Sequence, residues 1–427
     1  MLDKIMSILR EEIIPAEGCT EPIALAYAGS KLRDILGGIP EKIDIYLSGN
    51  MIKNVKSVKI PNSEGMVGIE AAIAMGTILG DSKKELMVIS GVDKTKLPEV
   101  KKYLDENRMN VLLYHGDVKL YIKLVGTLGE DQASIEIQNY HTNITEIIKN
   151  GEKILGQSCD DRSFVDTPMT DRSFLTMDLI YNTAKTIDIN LIEPIFKKVI
   201  ECNTAIAKEG LTNLYGIGIG KTIKEGIEEG VYGNDLRNNM AAFASAGSDA
   251  RMNGCSLAVM TTSGSGNQGM TASLPVIKFC EMKNIPYEQL IRGLFFSHMT
   301  TIHIKTNIGR LSAYCGAMCA SAGVAGAISF LDGLTLDQCS KAIETTLGTM
   351  SGLICDGAKS SCATKIASGI SCAFDSYYAS KKNRNLLFGE GIIGRDVEAT
   401  IKNTGVLGKD GMLVTDKVIL DIMVNNK

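Results

Sequence analysis

The sequence holds no tryptophan, and aromatic residues make up only 5% of its 427 positions. A core built on large rings is therefore out of reach, and helices must approach one another closely through Ala, Gly and Ser. An excess of either charge is missing too. Lys and Arg number 45 against 49 Asp and Glu, a net charge of −4. Electrostatics thus gives no reason to expect nucleic acid or an anionic membrane as partner. No run is both long and rich in large apolar side chains. Residues 311–331 are uncharged, but Ala, Gly and Ser dominate them, which reads as a buried helix rather than a membrane span. The opening MLDKIMSILREEIIPAEG reads as an amphipathic helix of mixed charge and not as a signal peptide. The eleven cysteines are odd in number and scattered, unlike a secreted disulfide framework, so a reducing cytoplasm is the expected compartment.

Common motifs are absent as well. Cys355-x6-Cys362 is neither the tight spacing of ferredoxins nor the C-x2-4-C of structural zinc. His298 and His303 stand five apart, which is not a zincin arrangement, and either reads equally as a core histidine. The glycine-rich loop TTSGSGNQGMTASLP (261–275) lacks the G-x4-G-K-S/T of a phosphate loop. Lys221, Lys305 and Lys359 lie near glycine turns but in no pattern that marks a Schiff-base lysine.

What is present divides the chain unevenly. Up to residue 155 the pattern mixes strands and helices. IDIYLS, VKSVKI, ELMVIS, NVLLYH, VKLYIKLVG and ASIEIQNYH read as strands, and 65–79 and 97–108 as helices. Residues 156–174 are polar and aperiodic, as in a linker. From residue 175 to 427 nearly every segment reads as helix. The expected architecture is an α+β N-terminal domain (1–155) with a mixed sheet, followed by a mostly α-helical domain (175–427). The first two helices are free to pack on the helical part.

Several residues invite a chemical reading. Cys315, Cys355 and Cys362 sit in glycine-rich loops rather than in apolar runs. Gly316 and Gly357 would let the backbone bend around something bulky, and an iron–sulfur cluster is bulky and takes thiolates. Three cysteines would leave one iron of a 4Fe–4S cube open. Inert buried thiols are the other reading, and spacing does not separate the two. Cys19, in PAEGCTEPIALAYAGSKL, falls just before a helix start, with Thr20 as cap and Pro22 in the first turn. The helix dipole there favours a thiolate, whereas Glu17 and Glu21 oppose one, and a plain capping turn fits equally well. Asn62 and Ser63 follow Pro61 in a triplet that either faces a ligand or simply caps a turn. His141 ends a strand, where a surface histidine is as good a reading as a site residue. In the second glycine loop, successive amides with Ser263, Ser265 and Asn267 would suit a carboxylate, or serve only as a connector.

Taken together, EGCTEPIALAYA, PNSEGMVGIEAAIAMG, SGSGNQGMTASLPV, HIKTNIGRLSAYCGA and ICDGAKSSCA resemble the L-cysteine desulfidase family, relatives of the bacterial iron–sulfur L-serine dehydratases. The resemblance spans essentially the whole chain. It implies an oxygen-sensitive 4Fe–4S lyase, independent of pyridoxal phosphate, that splits L-cysteine into pyruvate, ammonia and hydrogen sulfide. It implies that Cys315, Cys355 and Cys362 ligate the cluster, that one iron stays open, and that Cys19 is the base. It also implies that the α+β and helical domains of the dehydratases are fused here, with the helical one holding the cluster. Segment 156–174 belongs to none of these motifs. Ser263, Ser265 and Asn267 are then expected to grip the amino acid, and Asn62, Ser63 and His141 to wall the site from the other domain. L-serine is the rival substrate, a pyridoxal-phosphate lyase a rival mechanism, and a non-catalytic cluster protein a third reading. The Ala/Gly-rich helices would suit a homodimer.

Overall fold

The computed structural model describes residues 1–155 and 169–425, so 156–168 of the expected linker lie outside the described residues. In chain order the first elements are α1 (Leu2–Glu12), β1 (Pro15–Glu17), α2 (Thr20–Leu36), β2 (Lys42–Leu47), α3 (Gly49–Val55) and α4 (Ile69–Leu79). Next come α5 (Leu97–Asp105), β3 (Met109–Leu113), β4 (Tyr121–Leu128), β5 (Asp131–Gln138), β6 (Ile144–Lys149) and β7 (Glu152–Leu155). The later part runs α6 (Met177–Thr186), α7 (Ile189–Thr212), α8 (Ile219–Glu228), α9 (Leu236–Met252), β8 (Ala258–Met260) and α10 (Gly266–Lys283). It closes with α11 (Tyr287–Ile308), α12 (Gly316–Leu331), α13 (Leu336–Met350), α14 (Ser361–Lys381), α15 (Val397–Val406) and α16 (Leu413–Asn425).

A six-stranded mixed sheet of order β3-β2-β4-β5-β6-β7, with only β2–β3 parallel, is therefore followed by a mostly helical part. Each part has its own core. Against the sheet, Ile43, Ile45, Ile122, Leu124 and Ile135 bury with Ile23, Leu25 and Leu32 of α2 and Ile73 of α4. The α1 helix instead sends Ile5, Ile8 and Leu9 into the helical core with Phe196, Phe295 and Phe296. Thus α1 packs on the helical part and α2 on the sheet. No helix among the described residues is long and apolar enough to cross a membrane.

Two expected strands are not strands. VKSVKI finishes α3 and leaves only a single bridge, Lys59 to Val67. ELMVIS lies across a tight 3-10 turn, Ser82–Met87, in which Glu85 adopts φ +48, yet Leu86, Val88 and Ile89 are buried. Their alternation records burial, and burial does not require pairing. The hairpin β6–β7 went unread, although Asn150-Gly151 between its strands, both at positive φ, is the signature of a tight hairpin turn.

One small pairing matters more for function than the large sheet. Strand β1 runs antiparallel to β8, with Ala16 opposite Val259, and so lays the turn after β1 beside the glycine-rich loop after β8.

Candidate active site

Four helix starts meet around one small cavity of about 90 Å³. Cys19 is the N-cap of α2, Ser265 of α10 and Cys315 of α12, and Cys362 lies in the first turn of α14. Thr20, one residue later than the cap, is the first helical residue of α2; its hydroxyl donates to Gly264 O at 3.0 Å and Glu21 Oε2 at 3.1 Å. Unsatisfied amides and the positive ends of helix dipoles make such a convergence receptive to anions.

The three cysteines of the glycine turns line this cavity together. Two are tied by backbone: Cys315 N–H donates to Leu353 O at 3.2 Å, and Cys355 N–H donates to Ala313 O at 2.6 Å, on either side of a bridge between Tyr314 and Ile354. Gly357, at φ +97, turns the loop back toward Cys362. A side chain there would lie 2.6 Å from the carbonyl of Lys53. Burial pushes the Cys315 thiol up, and the neighbouring Cys355 and Cys362 add to it. Burial, with Cys355, raises Cys362 to about 11. Three thiols in one cavity, whose ionised forms would repel one another, are a donor set that fits an iron–sulfur cluster. Among the described residues, no three His, Cys, Asp or Glu side chains gather tightly enough for a single metal ion. A cube spaces its thiolates more widely than a single ion does, so that observation leaves the fit intact.

Opposite the thiols stands Cys19. Gly18, at φ +65 against Pro61, makes the turn that presents it. The Cys19 thiol donates to Glu21 Oε2 at 3.1 Å. Burial first, and then the Glu21 carboxylate, push it well above its ordinary value, with Arg251 pulling the other way. The helix dipole therefore does not leave a standing thiolate; burial and Glu21 outweigh it. Burial also works against ionised Glu21, but His141, the Cys19 hydrogen bond, its own amide and Arg251 bring it below the usual carboxylate range. Asn54 of α3 donates to Glu21 Oε1 at 3.0 Å, while its own Oδ1 is buried without a partner.

Arg251 closes the wall. It stands in the last turn of α9, is 3% exposed, and forms no ion pair or hydrogen bond among the described residues. Its Nε is buried without a partner. The absence of a side chain on Gly266 makes room for it: a Cβ there would lie 2.4 Å from Nε. A buried, unpaired guanidinium is costly unless an anion from outside completes it.

A profile described as serine dehydratase alpha chain matches residues 83–421. The chain belongs to that family. It is 58% identical over 422 residues to a UPF0597 protein of Fusobacterium nucleatum, covering 99% of each. It is 42% identical to UPF0597 proteins of Desulfitobacterium hafniense, over 98% of this chain and 96% of the relative, and of Lachnoclostridium phytofermentans, over 100% of both. Membership in the serine dehydratase alpha chain family implies a dehydratase-type lyase. The matched span holds Arg251 and the three clustered cysteines, while Cys19, Glu21 and Asn54 precede it.

Within this family member, the residues singled out by sequence fall into three groups. Ser265 and Asn267 line the cavity with the four cysteines. His141 and Ser263 border adjoining chambers. His141 is buried, and burial lowers it to about 4 against the pull of Glu21. Asn62 and Ser63 stand apart from the cavity. Asn62 Nδ2 donates to Glu17 Oε1 at 2.7 Å and Ile89 O at 3.0 Å, and Ser63 Oγ donates to Ile60 O at 2.7 Å. Asn62 braces the turn that carries Cys19, Ser63 bonds within its own turn, and neither lines the cavity. His298 pairs with Thr262 Oγ1 at 2.7 Å and His303 with Glu398 at 2.7 Å, both away from the site. The other glycine loop, 214–222, is closed by the chain itself, because Asp249 accepts from Gly220 N–H at 2.9 Å. Sequence reading missed Arg251 and Asn54. The only signal for Arg251 was a cation directly after the Ala/Gly/Ser-rich run of α9.

Proposed function

We propose that the chain is an iron–sulfur lyase that eliminates hydrogen sulfide from L-cysteine, yielding pyruvate and ammonia with the uptake of one water. The observation that carries this reading is the gathering of Cys315, Cys355 and Cys362 with Cys19 and an unpaired Arg251 around one cavity. The resemblance noted above supplies the substrate and the cluster. Cys315, Cys355 and Cys362 would hold a 4Fe–4S cluster, which supplies a Lewis-acidic iron for the departing sulfur.

The residues of the chain do the rest. Arg251 binds the substrate carboxylate, the charge its guanidinium lacks. As a thiol, Cys19 is oriented by its hydrogen bond to Glu21, whose other oxygen is held by Asn54, and once ionised it takes the Cα proton. The Cα–H electron pair forms the Cα–Cβ double bond as the Cβ–S bond breaks, and the sulfur leaves with its own pair. The aminoacrylate released becomes an imine, which water hydrolyses to pyruvate and ammonia. Burial keeps bulk water from the thiolate until the substrate is seated. No lysine lines the cavity, so a Schiff base finds no partner there among the described residues.

L-Serine dehydration is the second reading, favoured by the family match. The same residues would serve it, with water leaving. Anaerobic purification, a visible spectrum, and assays of sulfide and pyruvate from L-cysteine beside pyruvate from L-serine test both. Brown protein that prefers L-cysteine supports the desulfidase. Brown protein active on serine alone replaces it with the dehydratase. Protein still colourless and inactive after iron and sulfide are supplied removes both.

Two further results are expected. Arg251→Lys keeps the charge but loses the forked donor geometry, and should lower kcat/KM by roughly 10–100-fold, mainly through KM. An unchanged KM would take the carboxylate away from Arg251. Because burial and Glu21 raise the Cys19 thiol, its thiolate fraction grows ~10-fold per pH unit across the neutral range. The logarithm of kcat should therefore climb with pH from 6 to beyond ~8. A plateau reached near neutrality would assign the proton to another group.

A further inference from the structure

Behind the Thr262–Asn267 loop, on the side away from the reactive cavity, lies a second chamber of about 700 Å³ between the sheet and helical parts. Three lysines line it, Lys305 from α11, Lys119 from the segment before β4 and Lys409 from the turn after α15. Lys305 is 5% exposed. None of the three ammoniums has an ion-pair or hydrogen-bond partner among the described residues. Cations that face one space without an ion-pair partner, one of them buried, form an arrangement that an anion would complete.

A third group points the same way. Ser263 Oγ borders this chamber, is 5% exposed, and is buried without a partner. Its backbone holds φ +51, a conformation a serine seldom adopts. Arg310, also in the wall, is already engaged: it pairs with Glu12 at 2.9 Å and stacks over Tyr140 at 4.5 Å. Glu12 and Asp117 share the chamber and would repel an anion of multiple charge.

We infer that this chamber is a second binding site, for a small monovalent organic carboxylate held between Lys119 and Lys305 with the Ser263 hydroxyl as donor. It is distinct from the carboxylate position assigned to Arg251, since Ser263 faces one side of the loop and Ser265 the other. The inference does not depend on the lyase chemistry, because occupancy can be read with a molecule that is not turned over.

The test is calorimetric titration of the full chain, prepared anaerobically, with sodium pyruvate. Lys119 is only partly buried, so Lys119→Met should fold normally. It is expected to weaken binding by at least ~10-fold, as is Lys305→Gln, while Arg251→Lys retains a Lys119-dependent site. Inorganic phosphate at the same concentration should not displace pyruvate from it. Wild-type affinity in both lysine variants overturns the inference, and so does binding lost only in Arg251→Lys, which would place pyruvate in the reactive cavity. Displacement by phosphate would make the chamber an inorganic-anion site instead. Should the protein prove to lack lyase activity, the titration still answers for this chamber alone.

Discussion

Cys19→Ser is expected to keep the iron and the brown absorbance of the loaded protein and to lose ~10²–10⁴-fold in turnover of L-cysteine. Serine is among the best N-cap residues, so the start of α2 should be kept. A hydroxyl can still donate to Glu21, so the pocket should hold its shape. The change falls on acidity alone, because an alcohol gives up its proton far less readily than a thiol. Anaerobic steady-state kinetics with parallel iron analysis measures both halves of the statement. Loss of iron would make Cys19 a ligand, and retained turnover would move the base elsewhere in the site. His141 would then be the next candidate, since it is buried, held neutral, and has an Nε2 without a partner.

The second large effect concerns the thiols. Cys355→Ala should abolish the visible absorbance, strip most of the iron, and remove the activity that depends on it. Cys355 is the informative choice among the three. Its loop stays anchored whatever the side chain, through its amide to Ala313 and through its carbonyl, which accepts from Lys53 Nζ at 3.4 Å. That lysine is itself fixed by a buried ion pair with Asp416 at 2.6 Å. Circular dichroism should therefore remain that of the folded chain while iron analysis collapses. The loss in affinity should exceed the ~10–100-fold that removal of an outer-shell partner costs. Iron retained in full would detach Cys355 from the cluster and leave the three thiols as a structural cluster of sulfurs.

What could be read from the sequence follows a physical line. Cys315, Cys355 and Cys362 stood out because a thiol in a glycine turn is out of its usual surroundings, and Cys19 stood out because its turn and helix start are written in adjacent residues. The six-stranded sheet was recognisable in outline, yet ELMVIS and VKSVKI misled because apolar alternation marks burial as much as pairing. Asn62 and Ser63 misled for a related reason. A turn that faces a ligand and a turn that braces its neighbour carry the same residues, and only the bond from Asn62 to Glu17 separates them. Arg251 was invisible because its distinguishing property is the lack of a partner, which no local pattern records. Asn54 was hidden in α3, whose last residue was read as the start of a strand.

The convergence of helix starts also governs the order in which the site can come into being. Its walls are drawn from residues 19–21, 54, 251, 265–267, 315–317 and 355–366, so nearly the whole chain must be synthesised before the cavity closes. Until then Cys19 waits on a turn that lacks its β8 partner, and the Cys315 loop lacks the strand-like bridge from Ile354. Cluster insertion is thus a late event in the life of the molecule, and a chain truncated before α14 should fold its sheet and remain colourless.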